Sequence, residues 1–203
     1  FEHYEPLLTV EAALASTGTP IHDERPDNIV ARSTYEIGSF EEAIKEPGLL
    51  KFEGDYETPI VQHCHIENAM SFAYMEAGKI VVVSSTQIPH IIRRICSQAL
   101  GKGFGDIRII KPYIGGGFGN KQDALTEPLN AFLTTRVGGR PVLLEYTREE
   151  TFACTRVRHA MKFHITTYVR KDGSLAARSI KAYSNQGGYA SHAHALVANE
   201  DER

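Results

Sequence analysis

The stretch Ile114-Gly115-Gly116-Gly117-Phe118-Gly119-Asn120-Lys121-Gln122 decides how this chain is read. Four glycines and one phenylalanine stand between a strand candidate, Asp106–Lys111, and a helical pattern carrying Leu125, Leu129, Phe132 and Leu133. Pro128 makes that helix start late or bend, and Gly138-Gly139 ends it. Glycines packed this densely mean unusual backbone angles and a close approach of the main chain to something else. Bare N–H groups beside a helix start are a natural site for an anion or an oxo group. A tight structural turn is the alternative reading. A phosphate-binding P-loop needs Gly before the Lys and Ser/Thr after it, where this chain has Asn120 and Gln122. A dinucleotide fingerprint counted from Gly115 fails at Asn120.

Working outward, Ile88–Leu100 has apolar residues at three and four spacing, with Pro89 in its first turn and Gly101 just past its end. Ala69–Met75 and Lys79–Ser85 flank Ala77-Gly78 as a hairpin. Pro59–Ile66 reads as a strand with His63 and His65 on one face. Pro141–Tyr146 is a short strand, and Thr147-Arg148-Glu149-Glu150 is a capping box opening a helix. Ala160–Arg170 and Ser174–Ser184 are joined by Lys171-Asp172-Gly173 as a second hairpin. Residues 1–50 are punctuated by Pro and Gly, with short helices at Val10–Ala15 and Ser39–Lys45, and read as a connector. Sequential hairpins with two main helices predict an α+β fold: two layers with a mixed sheet.

Composition agrees with a folded domain. The 203 residues are 42% apolar and 23% charged, which excludes disordered and collagen-like chains. The longest aliphatic run, Ile80–Val83, is far short of the roughly 20 residues a membrane span needs. The net charge of −3 hides an acidic first 50 residues, with ten acids against three Lys/Arg, and a mildly basic remainder. No dense basic cluster interleaved with aromatics points to nucleic acid. Cys64, Cys96 and Cys154 give neither a disulfide framework nor a zinc ribbon and suit a reducing compartment, so the expected location is the cytoplasm. The chain opens on Phe1 rather than Met, and an internal fragment of a larger subunit is expected.

Other constellations are weaker. His63-Cys64-His65 and His192/His194 have strand spacing for zinc but no third ligand, so satisfied or surface histidines are expected. Arg148, Arg156, Arg158 and His159 read as a solvated or ion-paired face before an anion site. Cys154 has no evident base partner.

The ordered set Ser84-Ser85-Thr86-Gln87, the Gly115–Gln122 loop, Arg158-His159 and Tyr183-Ser184-Asn185 with Gly187-Gly188 resembles the molybdenum-cofactor subunit of the xanthine dehydrogenase/aldehyde oxidase family. Bacterial xanthine dehydrogenase molybdenum subunits are the branch it resembles most. Tyr4-Glu5-Pro6-Leu7 resembles the exit of that family's hammerhead-like domain. The resemblance implies a connector at 1–50 and the first part of the molybdenum-cofactor-binding domain at 51–203. It implies cofactor contacts from Gln87, Gly116, Gly117, Phe118 and Gly119, and substrate contacts from Phe118 and Gln122. Gln122 stands where purine-oxidising relatives from animals have a glutamate, and no arginine stands near Ala198-Asn199 where purine enzymes carry one. No direct protein ligand to the metal and no catalytic residue are expected in this stretch, because the family's general-base glutamate lies downstream. The implied parent carries a molybdenum-pterin cofactor and hydroxylates a purine, related N-heterocycle or aldehyde with oxygen from water. Iron–sulfur centres and FAD sit on other domains or subunits, with which the rest of the molybdenum subunit would assemble. The 203 residues alone are expected to be inactive. A scaffold domain that kept the fold and lost the site is the rival expectation.

Overall fold

The computed structural model describes His3 and residues 5–190. In chain order the elements are α1 (Val10–Ala15), α2 (Phe40–Ala43), β1 (Leu50–Thr58), β2 (Val61–Gln62), β3 (Met70–Glu76), β4 (Lys79–Ser84), α3 (Pro89–Leu100), a 3₁₀ turn at Phe104–Asp106, β5 (Ile107–Ile110), α4 (Glu127–Arg136), β6 (Val142–Glu145), α5 (Arg148–Cys154), β7 (Val157–Arg158), β8 (Met161–Val169) and β9 (Leu175–Ser184). They form two compact units. One is built from the chain up to Val61 and from His159 on; the other runs from Gln62 to Arg158. The division cuts across the 50/51 line drawn on the sequence, because β1 finds its partner more than a hundred residues away in β8.

The first unit is an antiparallel sheet in the order β1-β8-β9. Leu50 pairs with Val169 and Thr58 with Met161, and the β8–β9 register runs from Met161–Ser184 to Val169–Leu175. Its helices are set by local caps. Thr9 Oγ1 accepts the Ala12 N–H at 3.1 Å to start α1, and Ser39 Oγ accepts the Glu42 N–H at 3.4 Å to start α2. The Phe40 ring meets Tyr168 edge-on, and the Arg170 guanidinium forks onto Glu46.

The second unit is a four-stranded mixed sheet, β5-β4-β3-β6, in which only β4 and β5 run parallel. One face carries α3 and α4, as expected of a two-layer α+β fold. The core between them is Ala73, Ile80, Val82, Ile92, Cys96, Ile107 and Ala131. Alternation explains it: Ile80 pairs with Ile107 and Ala73 with Val82, so all four point to the helices. Ile92 and Ile107 are essentially solvent-free, each worth about 1.5–3 kcal/mol of transfer energy. α3 fits its sequence signals, with Pro89 in the first turn and Gly101 left-handed at φ 59° as its stop.

Two expectations fail here. Pro59–Ile66 is not a continuous strand: only Val61–Gln62 is, because Cys64 turns left-handed at φ 55°, and Ile66 is 94% exposed. His63 and His65 therefore do not share a strand face. In α4 the leucine stripe does not face inward. Leu129 and Phe132 are exposed, whereas Glu127, Asn130, Ala131 and Thr134 are buried. The inner face is polar because the sheet end it covers is polar. Asn130 Nδ2 donates to the Ser71 carbonyl at 2.7 Å and to Ser71 Oγ at 2.8 Å. Ser71 and Thr126 hydroxyls bond at 2.7 Å, and Ser84 Oγ donates to Glu127 at 2.6 Å.

Candidate functional site

The glycine loop sits at the end of the second unit, over this polar interior. Its backbone is left-handed at Gly116 (φ 98°), Phe118 (52°) and Gly119 (93°). The phenylalanine is the costly one, since an L side chain pays for positive φ. Inward turns close the loop: the Asn120 N–H donates to the Gly117 carbonyl at 2.8 Å and the Gln122 N–H to the Gly119 carbonyl at 3.3 Å. The N–H groups of Gly116, Gly117 and Phe118 have no acceptor among the described residues. Three consecutive free amides on a partly left-handed backbone form a donor array for an anion or oxo group.

Gln87 is fixed against this loop. Its own N–H donates to the Lys121 carbonyl at 2.9 Å, and its Oε1 accepts the Gly119 N–H at 3.1 Å. That second bond assigns the amide: the oxygen faces the loop, and Nε2, a donor, is left without a partner among the described residues. A Cβ on Gly117 would lie 2.6 Å from Gln87 Cδ, so any larger residue there displaces the Gln87 carboxamide.

Beneath the loop lies an ion pair the sequence did not announce. Lys121, 2% exposed, places Nζ 2.5 Å from Glu67 Oε2. The same Glu67 oxygen accepts the Gly115 N–H at 2.9 Å, and the Glu67 N–H donates to the Gly115 carbonyl at 3.3 Å. Burial pushes the Glu67 carboxyl upward, but the Lys121 ammonium and the Gly115 amide outweigh it and hold the group below its ordinary value. Glu67 clamps one end of the loop and Gln87 the other.

The 63–67 segment is pinned alongside. Arg148, stacked on Phe152, donates through both terminal nitrogens to the carbonyls of Cys64 and His65. His65 is buried; its Nδ1 donates to the Glu67 carbonyl at 2.5 Å and its Nε2 accepts from Asn120 Nδ2 at 2.8 Å. Burial depresses its basicity; the Glu67 carbonyl opposes this, and the nearby Lys121 and Arg148 charges reinforce it, so the ring stays neutral. Asn120 also donates to Thr155 Oγ1 at 2.9 Å. His63 donates from Nδ1 to the Arg156 carbonyl at 3.2 Å, and its Nε2 lies 3.8 Å from where a Gly119 Cβ would stand. Arg156 pairs with Asp123 at 2.5 Å. The arginine cluster thus serves backbone and carboxylate partners, with Arg158 exposed, and both histidines of the His-Cys-His triplet are used as hydrogen-bonding rings. Among the described residues no group of three His, Cys, Asp or Glu is placed to hold a metal ion.

The geometry places Gln87 against Gly117 and Gly119 of the loop that also carries Gly116 and Phe118. Phe118 projects from the loop, 73% exposed, and Gln122 is exposed at its far end. Asn185 belongs to the other unit, where it donates to the Leu8 carbonyl and accepts the Gly187 N–H. Tyr4, His192, His194 and Ala198-Asn199 lie outside the described residues.

The family model of the molybdopterin cofactor-binding domain matches residues 21–200. The chain belongs to that family. The xanthine dehydrogenase molybdenum-binding subunit of Escherichia coli O157:H7 is 44% identical over 199 residues, covering 98% of this chain and 26% of the relative. The nicotinate dehydrogenase large molybdopterin subunit of Eubacterium barkeri is 32% identical, covering 97% of this chain and 46% of the relative. The chain therefore spans about a quarter of the xanthine dehydrogenase subunit's length. The aldehyde oxidoreductase from Desulfovibrio desulfuricans superposes with a TM-score of 0.77 at 22% identity, over 90% of this chain and 20% of that one, a likeness of fold. As a molybdopterin cofactor-binding domain, the chain offers the kind of site such a group needs. Its donors are a neutral amide and bare N–H groups, suited to oxo and pterin atoms on a metal that its organic ligand already holds. Among the described residues no helix is long and apolar enough to cross a membrane.

Proposed function

We propose that this chain is the loop-bearing part of the large subunit of a xanthine dehydrogenase-type molybdenum hydroxylase, acting on a purine or related N-heterocycle. The observation that carries the reading is Gln87, whose Oε1 is spent on Gly119 and whose Nε2 is left as a donor beside the free amides of 116–118. A molybdenum-pterin group bound there would supply the two-electron oxidation of the heterocycle, with the new oxygen drawn from water.

The chain's own part is positioning. Gln87 Nε2 and the amides of Gly116, Gly117 and Phe118 would hold the group as hydrogen-bond donors without adding charge. Gly119 fixes the Gln87 carboxamide. Phe118, projecting from the loop, offers an apolar face against which a heterocycle can pack, and Gln122 offers an amide edge to its polar rim. An amide neither takes nor gives up a proton in such a contact, so Gln122 binds without acid–base work. The general base, a glutamate, belongs to the remainder of the parent subunit, and iron–sulfur and flavin partners carry the electrons away. Residues 1–50 are the connector and 51–203 the first part of the cofactor domain, in a cytoplasmic enzyme.

The reading is tested on the complete parent protein. Metal and pterin analysis should find both, and xanthine, hypoxanthine or nicotinate should be oxidised. An active parent free of molybdenum would refute the family chemistry. Oxidation of nicotinate alone, with purines inert, would overturn the xanthine assignment and favour the nicotinate branch.

A further inference from the structure

The two histidines flanking Cys64 differ in one atom's employment. Both donate from Nδ1 to a backbone carbonyl, His65 to Glu67 and His63 to Arg156. A carbonyl only accepts, so each ring carries a proton on Nδ1, and the tautomer that this bond selects has its lone pair on Nε2. His65 spends that lone pair on Asn120, deep under the loop. His63 does not: its Nε2 has no donor among the described residues, its ring is half-buried, and that nitrogen lies 3.8 Å from where a Cβ on Gly119 would stand. Its orientation is not accidental, because its own N–H is held by Gln62 Oε1 and the next residue sits left-handed at φ 55°. The nitrogen thus stands beside Gly119, in a loop where Gln87 Nε2 and the amides of 116–118 supply only donors. It adds a held acceptor to that set of donors.

We propose that His63 is a ligand-binding residue, its Nε2 accepting a hydrogen bond from a ring N–H of the heterocycle seated at the glycine loop. The inference rests on the functional reading above. Two groups share that chemistry there, the pterin of the cofactor and the N-heterocycle substrate. A donor-rich site binds oxo and carbonyl edges but discriminates poorly between a heterocycle presenting N–H and one that does not; one fixed acceptor supplies that discrimination.

The test uses the complete parent enzyme with its partners, comparing wild type, His63→Phe and His63→Gln. Phe keeps a flat ring and removes the acceptor; Gln restores an acceptor oxygen. If the substrate supplies the N–H, His63→Phe raises KM about tenfold with kcat and pterin content little changed. His63→Gln recovers most of it, and one mono-N-methylated xanthine shows the same KM in wild type and His63→Phe. If the pterin supplies it, His63→Phe loses at least half of the bound pterin at unchanged thermal stability, and Gln restores it. Pterin content and KM both within about twofold of wild type overturn the proposal, since a hydrogen bond of ordinary strength would move one of them further. A wild-type parent holding no pterin refutes the family reading instead. There the histidine is judged by calorimetric binding of xanthine, and affinity unaltered by His63→Phe, or no binding at all, overturns its role.

Discussion

Replacing Lys121 by methionine keeps the side chain's reach and removes its ammonium. Lys121 is 2% exposed and the Glu67 side chain 25% exposed, with 2.5 Å between Nζ and Oε2. Breaking a buried pair from one side costs about 3–5 kcal/mol because a charge is stranded. The carboxylate keeps its Gly115 bond and some water, so Lys121→Met belongs near the lower bound, about 3 kcal/mol. Glu67→Gln strands the more deeply buried ammonium and costs about 4 kcal/mol. The double variant Lys121→Met/Glu67→Leu removes both charges and leaves mainly the Gly115 amide unpaired, about 1–2 kcal/mol. The double variant is therefore more stable than either single one. Urea unfolding at pH 7 followed by circular dichroism measures all four proteins, and about 2–4 °C of melting temperature accompanies each kcal/mol in a chain of this size. The pair also has a pH signature. The Glu67 carboxyl is held below its ordinary value of 4.5, so the stability it contributes is present above that value and is lost as pH falls through the lower folded one. Acid titration should thus destabilise wild type below about pH 4.5 more steeply than Lys121→Met. A double variant as unstable as the sum of the singles, or a Lys121→Met protein as stable as wild type, refutes the coupling.

Gly117→Ala drives a Cβ into Gln87 and expels its carboxamide from Gly119; a loss of about 1–3 kcal/mol is expected, and an unchanged melting temperature would contradict the geometry. Burial, with Glu127 adding to it, pushes the Cys96 thiol up to about 12, while Cys64 and Cys154 are exposed. An aromatic disulfide reagent at pH 8 should therefore modify the latter two in the native chain and Cys96 only after denaturation; early labelling of Cys96 would show the core is open. Asp55 and Glu53 raise the His164 pKa, so the β1–β8 pairing is favoured below the ordinary histidine value and weakens as pH rises through the higher folded one. Melting temperature should lose less, or even rise, from pH 6 to 8 in His164→Gln compared with wild type, because the depressed His65 contributes with the opposite sign.

What the sequence discloses and what it hides divide along physical lines. α3 was readable because its start, its apolar spacing and its stop are all local: Pro89, Ile92 with Cys96, and Gly101. The Thr147 capping box and the two hairpins were readable for the same reason. α4 misled because periodicity assumes an apolar partner. The sheet end it covers presents Ser71 and Ser84, so Asn130 and Glu127 turn inward and Leu129 turns out. The His63–Glu67 segment misled because alternating residue types mimic a strand while Cys64 breaks it. Gln87 and the loop glycines were found by motif. Glu67 was not, since its meaning comes from a partner 54 positions away and leaves no pattern near it. The burial of Lys121 was equally invisible: lysine beside asparagine in a glycine loop reads as solvent-facing.

The pairing of β1 with β8 makes the second unit an insertion, since the chain departs at Val61 and returns at His159. Loop closure therefore favours an order of folding. The inserted unit starts from a two-residue hairpin between β3 and β4 and a helix with its own stop signal, and needs few long closures. The outer sheet joins Leu50 to Val169 and pays the entropy of closing a loop of more than a hundred residues, unless that loop has already condensed. The glycine loop is thus shaped early, inside the inserted unit, and β1 seals onto β8 afterwards. Substitutions in the inserted core should slow folding of the whole chain, whereas those in the β1–β8 seam should mainly quicken its unfolding.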